Sequence, residues 1–394
     1  MQAKDLQKEL QSNIRDYGMY IALFAIMAVF TVLTRGVFIS SRNIADLMNQ
    51  TGYIAILAVG VTLVIVMRQT DLSVGFLSGF LGAIGAIAMV SWGWSAWLAI
   101  PLLLVLGILA GLLTGFLVAS VGIPAFVATI AGWLIYRGCL LVVTRDTGTI
   151  VIQDPLFLAI GSGYVPYLLA RLPILPHVHK LTLLLGLATI AWANLSMARS
   201  RRSRAAYHFD VPPTDLFVVK QVFLSLLLAA ITWVLAGARG LSWTLVVVLA
   251  VVALYDYVTH QTPIGRYIYA VGSNPDAAEA SGISVKKMLY LVFASMGLLS
   301  AVSGILFASR LQSATPTAGT LFEMDAIAAA YIGGVSAAGG VGKVTGALVG
   351  SLVYMSLTSG MNLIGVDISL QYIVRGAVLA AAVIFDVSTR RHPR

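Results

Sequence analysis

Residues 95–119 read SAWLAIPLLLVLGILAGLLTGFLVA, without one charged side chain. A helix rises 1.5 Å per residue, so about 20 apolar residues span the roughly 30 Å of hydrocarbon in a bilayer. This stretch is long enough to cross, and a helix that is apolar on every face belongs in lipid or deep inside a large protein. Eleven more stretches read the same way: 18–34, 44–67, 72–91, 123–144, 180–197, 217–236, 241–258, 288–308, 325–336, 343–362 and 369–387. The short one at 325–336 suits a broken or re-entrant element. The expected fold is an all-α polytopic membrane protein of about twelve transmembrane or re-entrant helices, with residues 1–394 forming one transmembrane domain.

Composition agrees. Of 394 residues 59% are hydrophobic and 10% charged, and mean hydropathy is +0.92. Soluble domains run about 45–50% apolar and about 25% charged, so a water-soluble enzyme is excluded. The 37 glycines follow no fixed period, which excludes collagen and suits close helix packing in lipid. The single Cys139 excludes a disulfide within the chain. A net charge of +9 on such a chain speaks for lipid contact and topology, not for nucleic acid.

Lys and Arg gather on cytoplasmic loops. An even number of spans puts both termini on one side. With that side cytoplasmic, sixteen basic residues fall inside and seven outside, while Arg137 and Arg375 lie within spans. Both termini are therefore expected in the cytoplasm. The mixed-charge head (Lys4, Asp5, Lys8, Glu9) and the Thr34-Arg35-Gly36 sequence lack the pattern of a cleaved signal peptide, so the first helix is expected to stay. The segment 145–179 holds Pro155, Pro166, Pro173 and Pro176 and reads as an irregular outer loop with one surface-lying stretch. The inner segment 198–216 pairs Arg199, Arg201, Arg202 and Arg204 with Pro212-Pro213, an anchor for anionic lipid.

Gly107, Gly111 and Gly115 lie four apart on one face, as do Gly342, Gly346 and Gly350, with Gly75, Gly79 and Gly82 nearly so. Such stripes let backbones meet, within one chain or across a seam between two copies. Regions 54–85 and 327–352 are loosely alike: each runs apolar, breaks at a Gly-rich or polar turn, and resumes as a small-residue helix. Transporters carry such repeats near the substrate path.

The segment 259–287 is the most informative. Asn274 suits a helix N-cap, Pro275 the first helical position and Asp276 the positive end of the dipole. Ala277, Ala278, Glu279 and Ala280 favour helix, and Gly282 can close it in the left-handed conformation. The chain thus encodes a two-turn helix between two spans. A helix that short is marginal alone, so it packs on its own neighbours or docks into a partner.

Here the residues resemble a known family. Gly265-Arg266, Ala270-Val271-Gly272-Ser273-Asn274, Ala277-Ala278 and Ser281-Gly282-Ile283 closely resemble the coupling loop of ribose/xylose-type permeases, the membrane subunits of ATP-binding-cassette sugar importers within the branched-chain amino acid/sugar permease family. Asp71-Leu72-Ser73-Val74-Gly75 is similar to the family's other hallmark. Pro124 to Thr129, Tyr136-Arg137-Gly138, Gly333-Gly334, Gly339-Gly340 and Gly376 to Leu379 followed by Asp386 match in type. The resemblance covers about 19–149 and 241–389. Residues 150–240 resemble the two-helix insertion of the longer xylose-like members, between a first half (18–144) and a second half (241–389). The resemblance implies a homodimeric pathway, an ATPase subunit below and a periplasmic sugar-binding protein above. It implies that Gly265, Arg266, Gly272, Asn274, Asp276, Ala278, Glu279 and Gly282 couple to the ATPase. It places Asp71, Leu72, Ser73 and Gly75 near the pathway, in a multi-pass protein of the bacterial inner membrane surrounded by lipid.

Other constellations carry less. Residues 337–344 resemble a Walker A loop in outline, but Ala337 stands where Gly is needed and Val344 where a Mg²⁺-binding hydroxyl is needed. That stretch reads as a tight turn, and ATP chemistry is assigned to another polypeptide. Asp71 reads first as the N-cap of the third span, with a pathway-lining residue and a proton-relay carboxylate as alternatives. Arg137 and Arg375 read as structural charges or as contacts to a substrate hydroxyl. His177-Val178-His179 reads as loop, not metal site, and Trp92, Trp94 and Trp97 as an interfacial belt. Neither a metal, a cofactor nor a catalytic constellation is expected. The competing class is an ion-coupled secondary transporter of a small polar solute, which would want buried acidic pairs.

Overall fold

The computed structural model describes residues 14–167, 178–207 and 214–390. The charged head with Lys4, Asp5, Lys8 and Glu9 lies outside the described residues, as do Arg171, Pro173, Pro176, His177, Pro212-Pro213, Arg391 and Arg394.

Every expected span is a helix. In chain order they are α1 (Ile14–Leu33), α2 (Ser41–Val66), α3 (Val74–Val90), α4 (Ala96–Phe116) and α5 (Ala125–Val143). A docked helix α6 (Pro155–Ser162) follows, then α7 (Lys180–Ala206), α8 (Thr214–Gly237) and α9 (Trp243–Gln261). Two short helices, α10 (Pro263–Ser273) and α11 (Pro275–Ala280), lead into α12 (Val285–Leu311), α13 (Phe322–Ile332), α14 (Val344–Leu363) and α15 (Ile368–Arg390). Among the described residues nine helices are long and apolar enough to cross a membrane: α2, α4 with its π turn, α5, α7, α8, α9, α12, α14 and α15. Helices α1 and α3 are shorter apolar helices. The 11 residues of α13 rise only ~16 Å, about half the hydrocarbon thickness, and the helix stops at Gly333-Gly334. The chain is an all-α polytopic membrane protein.

The described residues form two compact units. The first holds 14–38, 47–163 and 243–390, and its centre is α3 against α4 and α12. The glycine stripes explain how these helices approach. A Cβ on Gly107 would lie 2.5 Å from the Gly297 carbonyl oxygen, one on Gly297 would lie 2.0 Å from the Gly107 oxygen, and one on Gly304 would lie 2.2 Å from the Ser78 oxygen. Gly346 and Gly350 meet the oxygens of Gly333 and Ala329 as closely, at 2.1 and 2.0 Å. The stripes are thus filled by this chain's own helices, the first of the two expected readings. In lipid, where apolar surface gains nothing by leaving solvent, such close van der Waals contact is what holds helices together.

The described part of the 145–179 segment is more ordered than expected. Strand β1 (Ile150–Val151) pairs antiparallel with β2 (Ser313–Ala314) just after α12. Asp154 caps α6, accepting from Leu156 N at 2.9 Å and Phe157 N at 3.0 Å, while its other oxygen accepts from Ala96 N at 3.1 Å. Phe157 is fully buried. The Ser309 hydroxyl accepts from Gly161 N at 2.7 Å and donates to Phe157 O at 2.5 Å, fixing α6 to α12. Prolines suggest irregular backbone, but Asp154-Pro155 is a helix start, which is why part of this stretch folds.

The second unit holds 39–46 and the described part of 164–242. Here α7 and α8 pair through Asn194 Nδ2 donating to Ser225 Oγ at 2.9 Å, with Gly186 against Thr232. His179 N-caps α7: its Nδ1 accepts from the Thr182 backbone at 3.3 Å and hydroxyl at 2.8 Å, and Nε2 meets Val165 O at 3.2 Å. Arg201 stacks over Phe217 at 4.7 Å and donates to Thr214 Oγ1 at 2.9 Å. Before α15, the exposed Asp367 carboxylate accepts from the Ser369 hydroxyl and N–H, which hold it below the ordinary carboxylate range.

Candidate functional site

Two helix starts follow one another at the end of α9. Thr262 caps α10, its Oγ1 accepting from Gly265 N at 3.3 Å with Pro263 at the first position. Sequence analysis missed this helix, although Thr262-Pro263 carries the same signal as Asn274-Pro275. Gly265, Ile268, Val271 and Gly272 form its buried face, and Arg266 is exposed. Helix α11 follows as expected: Asn274 Oδ1 accepts from Ala277 N at 3.1 Å, with Pro275 and Asp276 in the first turn. Gly282, at φ +84°, closes it: Gly282 N donates to Glu279 O at 2.9 Å and Ile283 N to Ala278 O at 3.0 Å. This double bond pattern satisfies the last carbonyls of the helix. Ala278 is buried, whereas Asp276 and Glu279 are exposed. The result is a capped helix fixed by one alanine and presenting two carboxylates outward.

Three chain segments meet beneath it. The last carbonyl of α2, Val66 O, accepts from Gly340 N at 2.8 Å. A Cβ on Gly272 would fall 1.9 Å from the same oxygen, so only glycine lets α10 cross there. Arg68, left-handed at φ 60°, sends Nε to Gly272 O at 2.7 Å and Nη2 to Ser273 O. Tyr269 donates to Gly342 O at 2.6 Å, and Asp386 Oδ2 accepts from Ala337 N at 3.3 Å. The Walker-like stretch is thus a turn: Gly339 N donates to Ser336 O and Ser336 N to Val341 O.

From Arg68 the chain runs to Asp71, which is buried. Its Oδ1 accepts from Ser73 N at 2.9 Å and Ser73 Oγ at 2.7 Å. Asp71 therefore closes the turn before α3; Ser73, not Asp71, occupies the cap position, and α3 has no side-chain cap bond. The expected N-cap role is corrected accordingly: the cap position falls at Ser73, two residues later than expected. Leu72 is half-buried beside it. A Cβ on Gly75 would lie 2.0 Å from Glu323 Oε2 and 2.6 Å from Gly319 O, so Gly75 makes room for the start of α13.

Helix α13 brings in two residues that sequence analysis did not single out. Glu323 is buried, Oε1 accepting from Trp133 Nε1 at 3.0 Å and Oε2 without a hydrogen-bond partner among the described residues. Asp325 accepts from Tyr354 OH at 2.6 Å and faces Arg375 at 3.9 Å. The available signal was Phe322-Glu323-Met324-Asp325 opening a short apolar helix, where acidic residues suit the dipole. Left-handed Leu321 (φ 65°), which turns the chain there, has no sequence signature. Arg375 thus forms an ion pair, and Arg137 stacks over Phe76 at 4.7 Å. The structure joins Asp71 to Ser73, sets Gly75 against Glu323 and ties Arg68 to Gly272 and Ser273, while Arg137 stacks on Phe76 beside Trp133 and Arg375 pairs with Asp325.

A family model described as branched-chain amino acid transport system / permease component matches residues 43–383. The xylose transport system permease protein XylH of Haemophilus influenzae is 37% identical, the match covering 96% of this chain and 98% of that protein. XylH of Escherichia coli K12 is also 37% identical, over 96% and 93%. The ribose import permease protein RbsC of Haemophilus influenzae is 34% identical, over 93% and 91%. No solved structure matches the chain. Its broken helices, its capped α11 and this near full-length similarity agree: the chain belongs to the family of branched-chain amino acid transport system permease components.

Proposed function

We propose that this chain is the permease subunit of an ATP-binding-cassette importer that moves a monosaccharide, a xylose-like pentose or related hexose, across the bacterial inner membrane. The observation that carries the reading is α11: a helix too short to persist alone, capped at both ends, fixed by Ala278 and exposing Asp276 and Glu279. Such a helix suits transfer of force to a neighbouring protein. In this reading α10 and α11, with Gly265, Arg266, Gly272, Asn274, Asp276, Ala278, Glu279 and Gly282, dock into a separate ATPase subunit on the cytoplasmic side, where both termini lie. A periplasmic sugar-binding protein delivers substrate at the opposite end. Two copies of the chain form the pathway in lipid, with Asp71, Leu72, Ser73 and Gly75 beside it, and the α7–α8 pair is an insertion between the two halves.

The test is co-purification followed by transport. Gentle extraction and pulldown should bring down an ATPase, and vesicles holding the complex and binding protein should take up labelled xylose or ribose only with ATP inside. Glu279→Arg should abolish sugar-stimulated hydrolysis, and unchanged stimulation would remove α11 from the coupling role. The buried Glu323 and Asp325 are what an ion-coupled carrier would use. Uptake driven by a proton gradient without ATP would establish that second reading instead.

A further inference from the structure

We propose that Arg68 is the positioning residue through which movement of α10 and α11 reaches the break between α2 and α3. The inference rests on the reading of α11 as the dock for an ATPase. Arg68 stands just past the end of α2, and its guanidinium spans two successive carbonyls, Gly272 O and Ser273 O, at the C-terminus of α10. That terminus is the negative end of the helix dipole, and a planar fork suits two adjacent acceptors. The contact joins residues more than 200 positions apart.

The surroundings are built for this bridge. The backbone at Arg68 is left-handed at φ 60°, a conformation that side-chain-bearing residues avoid. It is held by Arg68 N donating to Ile65 O at 2.8 Å and Gln69 N to Val64 O at 3.0 Å. Gly339 clears the path of the side chain, since a Cβ there would lie 2.4 Å from Arg68 Cγ. Gly340 ties the α13–α14 turn to Val66 O at the same point. Three residues beyond Arg68, Asp71 closes the turn that sets the start of α3, and Gly75 on α3 rests against Glu323 of α13. A displacement of α10 therefore pulls on both helix breaks through rigid parts, the first link being the guanidinium.

Two substitutions test this in the complete complex of permease, ATPase and binding protein, reconstituted in vesicles with labelled xylose and ribose as probes. Arg68→Gly removes the fork yet suits the left-handed backbone, which offsets part of the stability lost with its two bonds. Arg68→Lys keeps the charge but not the planar fork. Arg68→Gly should assemble with the ATPase, retain basal ATP hydrolysis and melt only a few degrees lower, the relieved left-handed backbone offsetting part of the two lost bonds, while hydrolysis stimulated by sugar-loaded binding protein falls about tenfold. Arg68→Lys should fall between. Wild-type stimulation in Arg68→Gly overturns the proposal, and so does loss of ATPase assembly in both variants, which would make Arg68 a docking or folding residue. Absence of ATP-dependent uptake in the wild-type complex would instead overturn the importer reading beneath it.

Discussion

Replacing Gly272 by alanine should loosen the junction under α11 more than any other one-methyl change there. The new Cβ would lie 1.9 Å from Val66 O and 2.9 Å from Gly340 N, all backbone atoms, whereas ordinary contact begins at 3.4 Å. Helix α10 must retreat by about 1.5 Å to reach that limit, and no side chain is present to absorb the shift. Such a retreat stretches the 2.7 Å bond from Arg68 to Gly272 O beyond hydrogen-bonding range. A bond from a charged donor contributes about 1.5–3 kcal/mol, and strain at an overpacked site about 1–3 kcal/mol. Alanine regains up to about 1 kcal/mol of helix propensity, leaving a net loss of roughly 1.5–6 kcal/mol. Cys139, the single cysteine and half-buried in α5, lets a thiol-reactive dye report unfolding of the detergent-extracted protein. The melting temperature should fall by roughly 2–7 °C. Gly376→Ala, where a Cβ meets nothing within 4 Å, is the control and should melt at or slightly above the wild type. Melting of Gly272→Ala within about 1 °C of the wild type would falsify the reasoning from backbone contact.

Gly75→Ala places a Cβ 2.0 Å from Glu323 Oε2 and should lower stability, and Glu323→Ala in the same chain should restore part of it. A double-mutant cycle on melting should return a coupling of about 0.5–3 kcal/mol, and strict additivity would mean the two do not touch. Asp325→Ala removes the acceptor of Tyr354 and the partner of Arg375. Breaking a fully buried pair costs about 3–5 kcal/mol; with side chains 21% and 12% exposed the loss should be smaller, and adding Arg375→Leu should recover some of it. Gly282→Ala meets no atom within 4 Å, so only its left-handed backbone matters. It should cost about 1 kcal/mol, seen as roughly fivefold faster amide exchange in α11 with little change in global melting.

The parts of this fold written locally were legible in the sequence. Span positions follow from apolar length, and α11 follows from Asn274, Pro275 and Gly282, because a cap acts over three or four residues. Helix α10 was equally legible in principle, since Thr262-Pro263 marks its start. The contacts that assemble the site were not legible. Arg68 meets Gly272 and Ser273 across more than 200 residues, and no local pattern records that pairing. Glu323 reads as a loop residue until Leu321 turns the chain inward. Asp71 was correctly placed at the start of the third span but given the wrong donors, because the cap position shifts by two residues with the turn geometry. The glycine stripes showed where backbones approach without saying which partner fills them.

The backbone contact between α4 and α12 has a mechanical consequence. At Gly107, Gly111 and Gly297 each helix lies within van der Waals reach of the other's carbonyl oxygens. Side chains act as springs between most helices, since they can change rotamer as the axes slide. Here there is no spring. Sliding one axis along the other would drive Cα atoms over carbonyl oxygens, so the pair responds to load as a single beam. With α3 seated on the same beam through Gly82 and Gly304, these three helices form one stiff body. A load on the start of α12 is therefore carried along its 27 residues toward α6, which Ser309 holds at the far end.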